Sequence, residues 1–428
     1  MTSLTTHNSA AQDAPGAHAP EPGRPLAYAW VIVAALWPVA MLNYLDRQML
    51  ATIRASMRAD IPSIASDQDF GTLMAVFMWT YAVLSPIGGF VADRFNRRWT
   101  VIGSLFVWSA VTWLTGHTQS FNQLLATRAL MGISEAFYIP TALALIADFH
   151  RGNTRARAVG IHQSGIYAGL MLGGIGGYIA QSSSWRNCFT WFGMAGVLYA
   201  VVLVAVLRDV PAAAGRERCG GARVTMGGAL RALWVQPSFW VLSVCFTLPG
   251  ITGWVIKNWL PTFLADRFSL NEGPAGLSAT GYIQCASFAG VLVGGAVADR
   301  WMQANQRGRI YTSALGLLLL VPAMLGLGGA GSVGIAIGFM VLFGLGWGFF
   351  DSNNMPILCQ ITRPEYRATG YGFMNFVGIS ISAGATVVLG WMRDQHIPFT
   401  TAFAVCAALA LFSAVLILFV KPRPEIRA

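Results

Sequence analysis

The phrase GGFVADRFNRR, residues Gly88–Arg98, returns in the second half of the chain as GGAVADRWMQANQRGR, residues Gly294–Arg309. The two Asp-Arg pairs lie 206 residues apart (299 − 93), close to half of the 428 residues. A second repeated motif, RAVG at 157–160 and RATG at 367–370, has nearly the same offset of 210 residues (367 − 157). Two independent matches at nearly one offset indicate that the chain is a duplicated half-protein.

The composition points to a membrane environment. Hydrophobic residues make up 55% of the sequence and charged residues only 11%, unlike a water-soluble domain. Charge-free stretches such as Leu26–Leu42 and Ala402–Val420 approach the roughly 20 residues that a helix needs to cross a bilayer. Twelve predominantly apolar runs are predicted to be membrane-spanning helices, numbered spans 1 to 12: 26–50, 68–92, 99–117, 121–149, 157–180, 186–207, 236–263, 275–298, 309–330, 333–361, 367–392 and 397–420.

Several function classes are disfavoured by the sequence. The six cysteines form no C-x-x-C pair and lie mostly in apolar runs, so neither a disulfide framework nor a metal site is predicted. The net charge of +10 is spread over loops instead of one soluble face, which argues against a nucleic-acid partner. The sequence shows no Ser-His-Asp arrangement and no phosphate-binding loop, so we expect no enzymatic activity and no cofactor.

The distribution of basic residues predicts the orientation. Of 28 Lys and Arg residues, 20 lie in the tails or in loops after even-numbered spans, and 5 lie on the opposite side. Because basic residues accumulate in cytoplasmic loops, both termini are predicted to be cytoplasmic. The predicted organisation is a disordered tail (1–24), two six-helix bundles (25–207 and 236–420) joined by a cytoplasmic linker (208–235), and a second tail (421–428).

This all-α layout of two parallel six-helix repeats resembles the major facilitator superfamily. The repeated phrase resembles the superfamily's loop signature after span 2, and its members here are Gly89, Asp93, Arg94, Arg97 and Arg98, with Asp299 and Arg300 in the second copy. The resemblance implies transport by alternating access, with these charges pairing across the cytoplasmic ends of helices from opposite halves as a gate. Asn96 stands where the family usually has Gly, and we interpret it as a residue that tolerates left-handed backbone.

Three basic residues, Arg47, Arg128 and Lys257, fall within or at the edge of spans. A charge at membrane depth costs about 2.5–3.5 kcal/mol on insertion scales, so these positions are where function is expected. Asp46 is adjacent to Arg47, but successive residues of a helix point about 100° apart. The two side chains therefore cannot simply neutralise each other.

Span 4 places Arg128, Gly132 and Glu135 on one helical face. Arg128 and Glu135 are two turns apart, roughly 10 Å of rise, which is long for a direct bond but within reach of a shared cavity. A carboxylate among apolar neighbours is costly to keep charged, and this is the behaviour that a proton carrier requires. We therefore expect Glu135 to carry a proton.

A narrower resemblance, covering nearly the whole chain, is to the anion:cation symporter family, which includes bacterial galactonate, glucarate and hexuronate transporters. The motifs that carry it are Asn43-Tyr44-Leu45-Asp46-Arg47, Phe77-Met-Trp79-Thr-Tyr81, Arg128-x-x-x-Gly132-x-x-Glu135, Trp185-Arg186 and Asn258-Trp259-Leu260-Pro261. The resemblance implies substrate contacts from Arg47 and Tyr81, with Tyr44 beside them. It also implies proton uptake by Asp46 and Glu135, with Arg128 tuning Glu135. Ala136 and Ser85-Pro86 depart from the family pattern, so the choice of substrate is open to differ from that of the sugar acid members.

Lys257 and Asp351 are candidates from the second half. Lys257 either faces the cavity, where it would suit a dianion or an extended acid, or snorkels to the interface with Trp254 and Trp259. Asp351 either contributes to specificity, or is hydrated near the cavity mouth, or is a structural partner for Lys257 or for a loop arginine. Pro356 is expected to break span 10. The uncharged candidates for substrate contacts are Gln163, Asn354 and Asn375.

The leading prediction is a secondary active transporter of the bacterial inner membrane that takes up a small organic anion, such as a sugar acid or another carboxylate, with protons. It is expected to function as a monomer in the lipid bilayer. The alternatives are a proton-coupled exporter of a drug-like compound and a neutral-sugar transporter. Exporters of that kind carry a Gly-Pro-x-x-Gly-Gly signature in span 5, and the glycine-rich stretch Ser164–Ala180 contains no proline.

Overall fold

The computed structural model describes residues 26–150, 153–208 and 226–422. Within these ranges the chain is helical and contains no strand. Its α-helices are, in chain order, α1 (Leu26–Met49), α2 (Arg54–Asp60), α3 (Asp67–Arg94), α4 (Arg97–Thr115), α5 (Phe121–Glu135), α6 (Tyr138–Phe149), α7 (Asn153–Leu172), α8 (Ile175–Ser182), α9 (Trp185–Val206), α10 (Met226–Trp234), α11 (Pro237–Phe268), α12 (Glu272–Ala304), α13 (Gly308–Gly328), α14 (Val333–Asp351), α15 (Asn354–Ile361), α16 (Arg367–Asp394) and α17 (Phe399–Leu416). Short 3-10 turns follow α1, precede α16 and follow α17.

Most of the predicted spans are confirmed as long apolar helices. Ten helical segments of the described chain are long and apolar enough to cross a membrane. The predicted spans 3 and 5 coincide with α4 and with the α7–α8 pair, which do not belong to that set. α4 opens on Arg97-Arg98, and the first two turns of α7 are polar, which lowers the mean hydropathy of both. The protein is a multi-pass integral membrane protein.

Several predicted boundaries fall outside the described chain. The tail 1–24 lies outside the described residues, and so do 209–225 of the linker and all but two residues of the tail 421–428. The described part of the linker forms α10, a short helix before span 7. The helix starts themselves follow local chemistry, since the hydroxyls of Ser66, Ser120 and Ser332 each accept a hydrogen bond from the backbone N–H three residues on.

The two halves of the molecule pack tightly at one end, which we call the closed end. There α3 packs on α16, and α8 packs on α12. Glycines allow this approach: a Cβ at Gly177 would lie 2.3 Å from the carbonyl oxygen of Glu272, and a Cβ at Gly390 would lie 2.4 Å from that of Asp67. Only a residue without a side chain lets two backbones come this close.

The same helices diverge toward their other ends, which we call the open end. Trp79 of α3 still donates a hydrogen bond to the carbonyl oxygen of Ser380 in α16, at 3.0 Å. One and two turns further along that face, Val83 and Ile87 are 57% and 47% exposed. On α12, Leu292 is 60% exposed. A cleft between the halves therefore opens at this end.

Candidate functional site

The centre of the site is a buried ion pair between two spans of the first half. Arg47 near the end of α1 donates from Nε to Oε2 of Glu135 in α5, at 2.6 Å. Glu135 is fully buried, and only 7% of the Arg47 side chain is exposed. A pair this deep is sustained by direct contact, since removing either partner would leave an uncompensated buried charge.

The backbone around Glu135 explains how its carboxylate reaches this position. α5 approaches α3 so closely that a Cβ at Gly132 would lie 2.0 Å from Oγ1 of Thr80 and 2.6 Å from the carbonyl oxygen of Phe77. The helix ends at Glu135, and α6 begins at Tyr138. Pro140 has no N–H to bond the carbonyl four residues earlier, so the span breaks directly after the carboxylate.

Aromatic rings surround the two arginines of the site. The Arg47 guanidinium lies 4.4 Å from the ring centroid of Tyr81, 4.6 Å from that of Tyr44 and 5.0 Å from that of Phe77. The Arg128 guanidinium lies 4.8 Å from the same Phe77 ring. Each ring face attracts the cation electrostatically and excludes water from it. Phe77 belongs to a motif that carries the family resemblance but was not predicted as a site residue, although it stands four residues before Tyr81 on one face of α3.

Asp46 points away from Arg47, as the helical geometry predicts. It is buried, and its Oδ2 accepts a hydrogen bond from Oγ1 of Thr112 in α4, at 3.1 Å. Its Oδ1 has no hydrogen-bond partner among the described residues. Thr112 is a second site residue that sequence reasoning missed, because a threonine in an apolar span carries no distinguishing pattern.

Arg128 is not the direct partner of Glu135. Its guanidinium donates to Sδ of Met131 at 3.1 Å, and its Nε has no hydrogen-bond partner among the described residues. It interacts with both Glu135 and Asp46 electrostatically, without an ion pair to either. Two cations and two carboxylates therefore share one buried space, and one oxygen of each carboxylate makes no well-formed hydrogen bond with a described residue. Such an arrangement can hold or release protons as its charges are rearranged.

In the second half, Lys257 of α11 lies against aromatic rings. Its Nζ is 5.2 Å from the ring centroid of Trp254 and 5.4 Å from that of Trp347. Trp259, the other expected interface residue, is fully buried and donates from Nε1 to the carbonyl oxygen of Thr386 at 3.1 Å. This arrangement favours the cavity-facing interpretation of Lys257. Asp351 interacts with Lys257 electrostatically and is exposed within the cleft.

The uncharged candidates are only partly brought together. Asn354 is buried next to Asp351, and Asn375 lies beside Tyr371 in α16. Tyr371 in turn interacts with Tyr81 and Asp351, which ties these residues to the central space. Gln163 is exposed on α7, one turn before Tyr167, whose ring packs edge-on against Phe288 at 5.6 Å.

At the open end, the two ion pairs of the repeated phrase that the structure describes join residues of the same half. Arg97 pairs with Asp148, and Asp299 pairs with Arg309 at 2.7 Å. Arg98 donates to the carbonyl oxygen of Val204 at 2.6 Å. Arg94 and Arg300 are exposed at this end. The surroundings of Gly89 and the side chain of Asp93 lie outside the described part of the chain, so a gate between the halves stays a prediction.

The interpretation of Asn96 was wrong. Its φ is −64° and its ψ is 115°, an extended conformation and not a left-handed one. Its side chain instead accepts a hydrogen bond from the backbone N–H of Trp99 and caps α4. Asparagine is favoured at this position as a helix N-cap, not for a positive φ.

An ionic network that the sequence did not reveal joins the halves at the closed end. Asp67, the first residue of α3, pairs with Arg54 and, at 2.7 Å, with Arg58 of its own half. It also pairs with Arg393 of α16 at 2.7 Å, and Arg393 pairs with Asp266 at 2.8 Å. The network spans four separate segments, so no local motif could have indicated it.

Comparisons with known proteins agree with this architecture. A family model described as Major Facilitator Superfamily matches residues 36–386. Protein spinster homolog 1 of Bos taurus is 28% identical over 390 residues, covering 85% of this chain and 73% of its own. The sphingosine-1-phosphate transporter SPNS2 of Mus musculus is 28% identical over 385 residues, covering 83% and 68%. The hexuronate transporter of Bacillus subtilis (strain 168) is 23% identical over 407 residues, covering 91% and 94%.

Solved structures share the fold. A bacterial homolog of the human lysosomal transporter Spinster, in an inward-facing and unoccupied conformation, superposes with a TM-score of 0.74 at 19% identity and covers 93% of this chain and 96% of its own. The D-xylose-proton symporter superposes with a TM-score of 0.70 at 16% identity, covering 94% and 100%. The hexuronate transporter agrees with the predicted anion:cation symporter resemblance, whereas the similarity to spinster proteins was not anticipated.

Proposed function

Because this chain belongs to the Major Facilitator Superfamily and is therefore a membrane transporter, we propose that it takes up a small organic anion together with a proton by alternating access. The single observation that carries the proposal is the contact between Arg47 and Glu135 at 2.6 Å. A guanidinium enclosed by three rings binds carboxylates strongly. In this structure the carboxylate that it binds is the side chain of Glu135.

The contact suggests how the two solutes are coupled. A proton on Glu135 removes its charge and frees Arg47 to bind the carboxylate of the substrate. Without that proton, Glu135 competes with the substrate for the same guanidinium. Anion and proton therefore bind together, and neither binds well alone. Asp46 offers a second place for the proton, since its Oδ1 is unbonded and its charge interacts with Glu135.

The shape of the molecule supports alternating access. The loops rich in basic residues lie at the open end, which the positive-inside rule assigns to the cytoplasm. The described conformation is then inward-facing, with the closed end toward the outside. In the opposite state, the Asp93 and Asp299 phrases would meet partners of the other half as the open end closes.

The relatives supply the range of anions to test. The similarity to a hexuronate transporter favours a sugar acid or another carboxylate. The exposed apolar residues Val83, Ile87 and Leu292 along the cleft favour a second candidate, an amphipathic anion such as a lipid phosphate, and one relative is a sphingosine-1-phosphate transporter. We further propose that the protein works as a monomer in the bacterial inner membrane and uses H⁺ as its coupling ion.

The test is uptake into proteoliposomes driven by an inward proton gradient. The panel contains glucuronate, dicarboxylates, aromatic carboxylates and a lysophospholipid, with neutral sugars and cationic dyes as the alternatives. We expect an anion to accumulate, a protonophore to abolish the accumulation, and Arg47→Ala to abolish binding. Accumulation of only a neutral sugar or a cation would overturn the proposal.

A further inference from the structure

A nine-residue pattern occurs once in each half of the molecule, in spans 4 and 10. The first copy is Gly132-x-x-Glu135-x-x-x-x-Pro140 and the second is Gly348-x-x-Asp351-x-x-x-x-Pro356. All three positions have the same offset of 216 residues (351 − 135). The two spans also have the same length, 29 residues. Asp351 therefore stands in the second half where Glu135 stands in the first.

The two carboxylates occupy equivalent positions at the ends of their helices. α5 ends at Glu135 and α14 ends at Asp351, and the next helix begins three residues later in both cases. The proline in the first turn of the following helix lacks the N–H that would continue the span. The glycine three residues before the carboxylate is also equivalent, because Gly348 packs on α12 so tightly that a Cβ would lie 2.4 Å from the carbonyl oxygen of Ser287.

Lys257 is the corresponding counterpart of Arg47. It follows Arg47 by 210 residues (257 − 47), which is also the offset between the repeated motifs RAVG and RATG. The two cations are neighbours across the halves, because Gln48 donates from Nε2 to the carbonyl oxygen of Lys257 at 2.8 Å. That carbonyl is free to accept since Pro261, four residues later, has no N–H. Arg47 and Lys257 also interact electrostatically.

Lys257 and Asp351 in the second half do not form an ion pair, whereas Arg47 and Glu135 in the first half do. Lys257 makes no ion pair with any carboxylate of the described residues, although Asp351 is close enough to interact with it. The ammonium instead lies against Trp254 and Trp347. Trp347 is held in place by α11, where a Cβ at Gly253 would lie 2.4 Å from its ring. The cation is thus positioned by aromatic rings and has no acidic ligand.

Asn354 supplies an independent sign of a binding site. It is only 3% exposed and lies beside Asp351, yet neither its Nδ2 nor its Oδ1 makes a well-formed hydrogen bond with a described residue. Buried amides are nearly always hydrogen-bonded, because an unbonded one loses its interactions with water without replacement. In the first half, Asn43 likewise lies beside Glu135, and neither its Nδ2 nor its Oδ1 makes a well-formed hydrogen bond with a described residue.

We propose that Lys257, Asp351 and Asn354 form a second substrate subsite, which binds a second anionic group of the transported molecule. The inference rests on the proposed function and deepens it, since it makes the substrate a dianion with two separated acidic groups. One group binds Arg47, and the other binds Lys257 and the Asn354 amide. Asp351 competes for Lys257 as Glu135 competes for Arg47.

The test uses three probes of equal length that differ only in the terminal group: adipate, 6-hydroxyhexanoate and 6-aminohexanoate. The same comparison is repeated for chains of four to eight carbons. Each is measured by uptake into proteoliposomes containing the full chain. We expect the diacid to have a KM about tenfold lower than its hydroxy acid for at least one length, the size of effect that a charge-assisted hydrogen bond gives.

Two variants connect the preference to the subsite. Lys257→Gln should remove the preference for the diacid and leave hydroxy acid uptake unchanged. Asp351→Asn removes the competing carboxylate and should lower the KM for the diacid alone, so it provides a readout even if Lys257→Gln does not fold. Lys421→Gln, the same substitution at an exposed lysine beyond α17, is the matched control and should leave the ratio of the two KM values unchanged.

The outcomes separate the subsite from the proposed function. Uptake of both acids with equal KM, or a diacid preference that survives Lys257→Gln, would overturn the subsite and leave anion transport standing. A preference for 6-aminohexanoate that is lost in Asp351→Asn would also overturn it, because Asp351 would then bind an ammonium group. Uptake of no carboxylate at any length would overturn the proposed function, and the subsite with it.

Discussion

Asp394, the last residue of α16, caps the first turn of α3: its Oδ1 accepts a hydrogen bond from the backbone N–H of Asp67 at 2.8 Å. Its Oδ2 accepts another from Gln68 at 2.9 Å. A carboxylate from one half thus neutralises the N-terminal end of a helix in the other. With the Asp67–Arg393 pair, this contact holds the closed end together.

Breaking this network should open the closed end. We expect Arg393→Gln to increase the labelling rate of a cysteine at Thr262, because the Asp67 carboxylate loses its ion-pair partner from the other half. Thr262 is buried and lines a small cavity at this end. The measurement is maleimide labelling in a background without the native cysteines. Arg309→Gln is the control, since it breaks a pair within one half. An unchanged rate in Arg393→Gln would show that the network does not set this equilibrium.

Gly177 should be essential for closure. Leucine at this position would collide with the carbonyl of Glu272, which belongs to a helix backbone and cannot yield, so the halves could not meet. We expect Gly177→Leu to abolish disulfide crosslinking between cysteines placed on α8 and α12 and to stop uptake. Gly281→Leu is the matched control on α12, because nothing lies within 4 Å of its Cβ position. Normal crosslinking in Gly177→Leu would contradict the packing described here.

Gly132 should position the carboxylate of the site. An alanine there would meet Thr80 and the carbonyl of Phe77, so α5 would shift away from α3. We expect Gly132→Ala to lower the stability by about 1–3 kcal/mol, the usual cost of overpacking, and to reduce uptake. Gly103→Ala, with open space around its Cβ position, should do neither. Thermal unfolding in detergent measures the first effect, and a Tm equal to that of the control would refute the prediction.

The Phe77 ring should matter for binding as well as for packing. It lies against both Arg47 and Arg128, and each such contact contributes about 0.5–2 kcal/mol. We expect Phe77→Leu to raise the KM for the anion about tenfold, while Phe77→Tyr retains most of the affinity. Phe239→Leu is a control at a similarly buried ring that packs against Trp240 and Phe373 and has no cation over it among the described residues. If both leucine variants lower the Tm but neither changes the KM, Phe77 serves packing alone.

The fold was largely predictable from the sequence. The apolar runs predict the spanning helices, because a bilayer admits few structures other than helices of about that length. The repeated phrase at Asp93 and Asp299 predicts the division into two similar halves. The predicted break in span 10 is also confirmed, although it falls at Ser352–Asn353 and not at Pro356. Pro356 lies in the first turn of α15, and because it has no N–H to bond the carbonyl of Ser352, the break precedes the proline.

The partners within the site were less predictable. Sequence spacing places Arg128 and Glu135 on one face, but the direct partner of Glu135 comes from span 1. That choice depends on tertiary packing, because Gly132 lets α5 approach α3 closely and Arg47 of α1 then reaches Glu135. The closed-end network also depends on tertiary packing, since Asp67 and Arg393 meet only after the halves associate.

The exchange of Arg47 between Glu135 and the substrate is tested most directly by comparing two assays on Glu135→Gln in proteoliposomes. The first is anion counterflow without a gradient, and the second is accumulation driven by an inward proton gradient. Our account predicts that the variant retains counterflow, because Arg47 is permanently free, and loses accumulation, because no proton is exchanged. Gradient-driven accumulation equal to that of the unmodified protein would contradict it and remove Glu135 from the coupling mechanism.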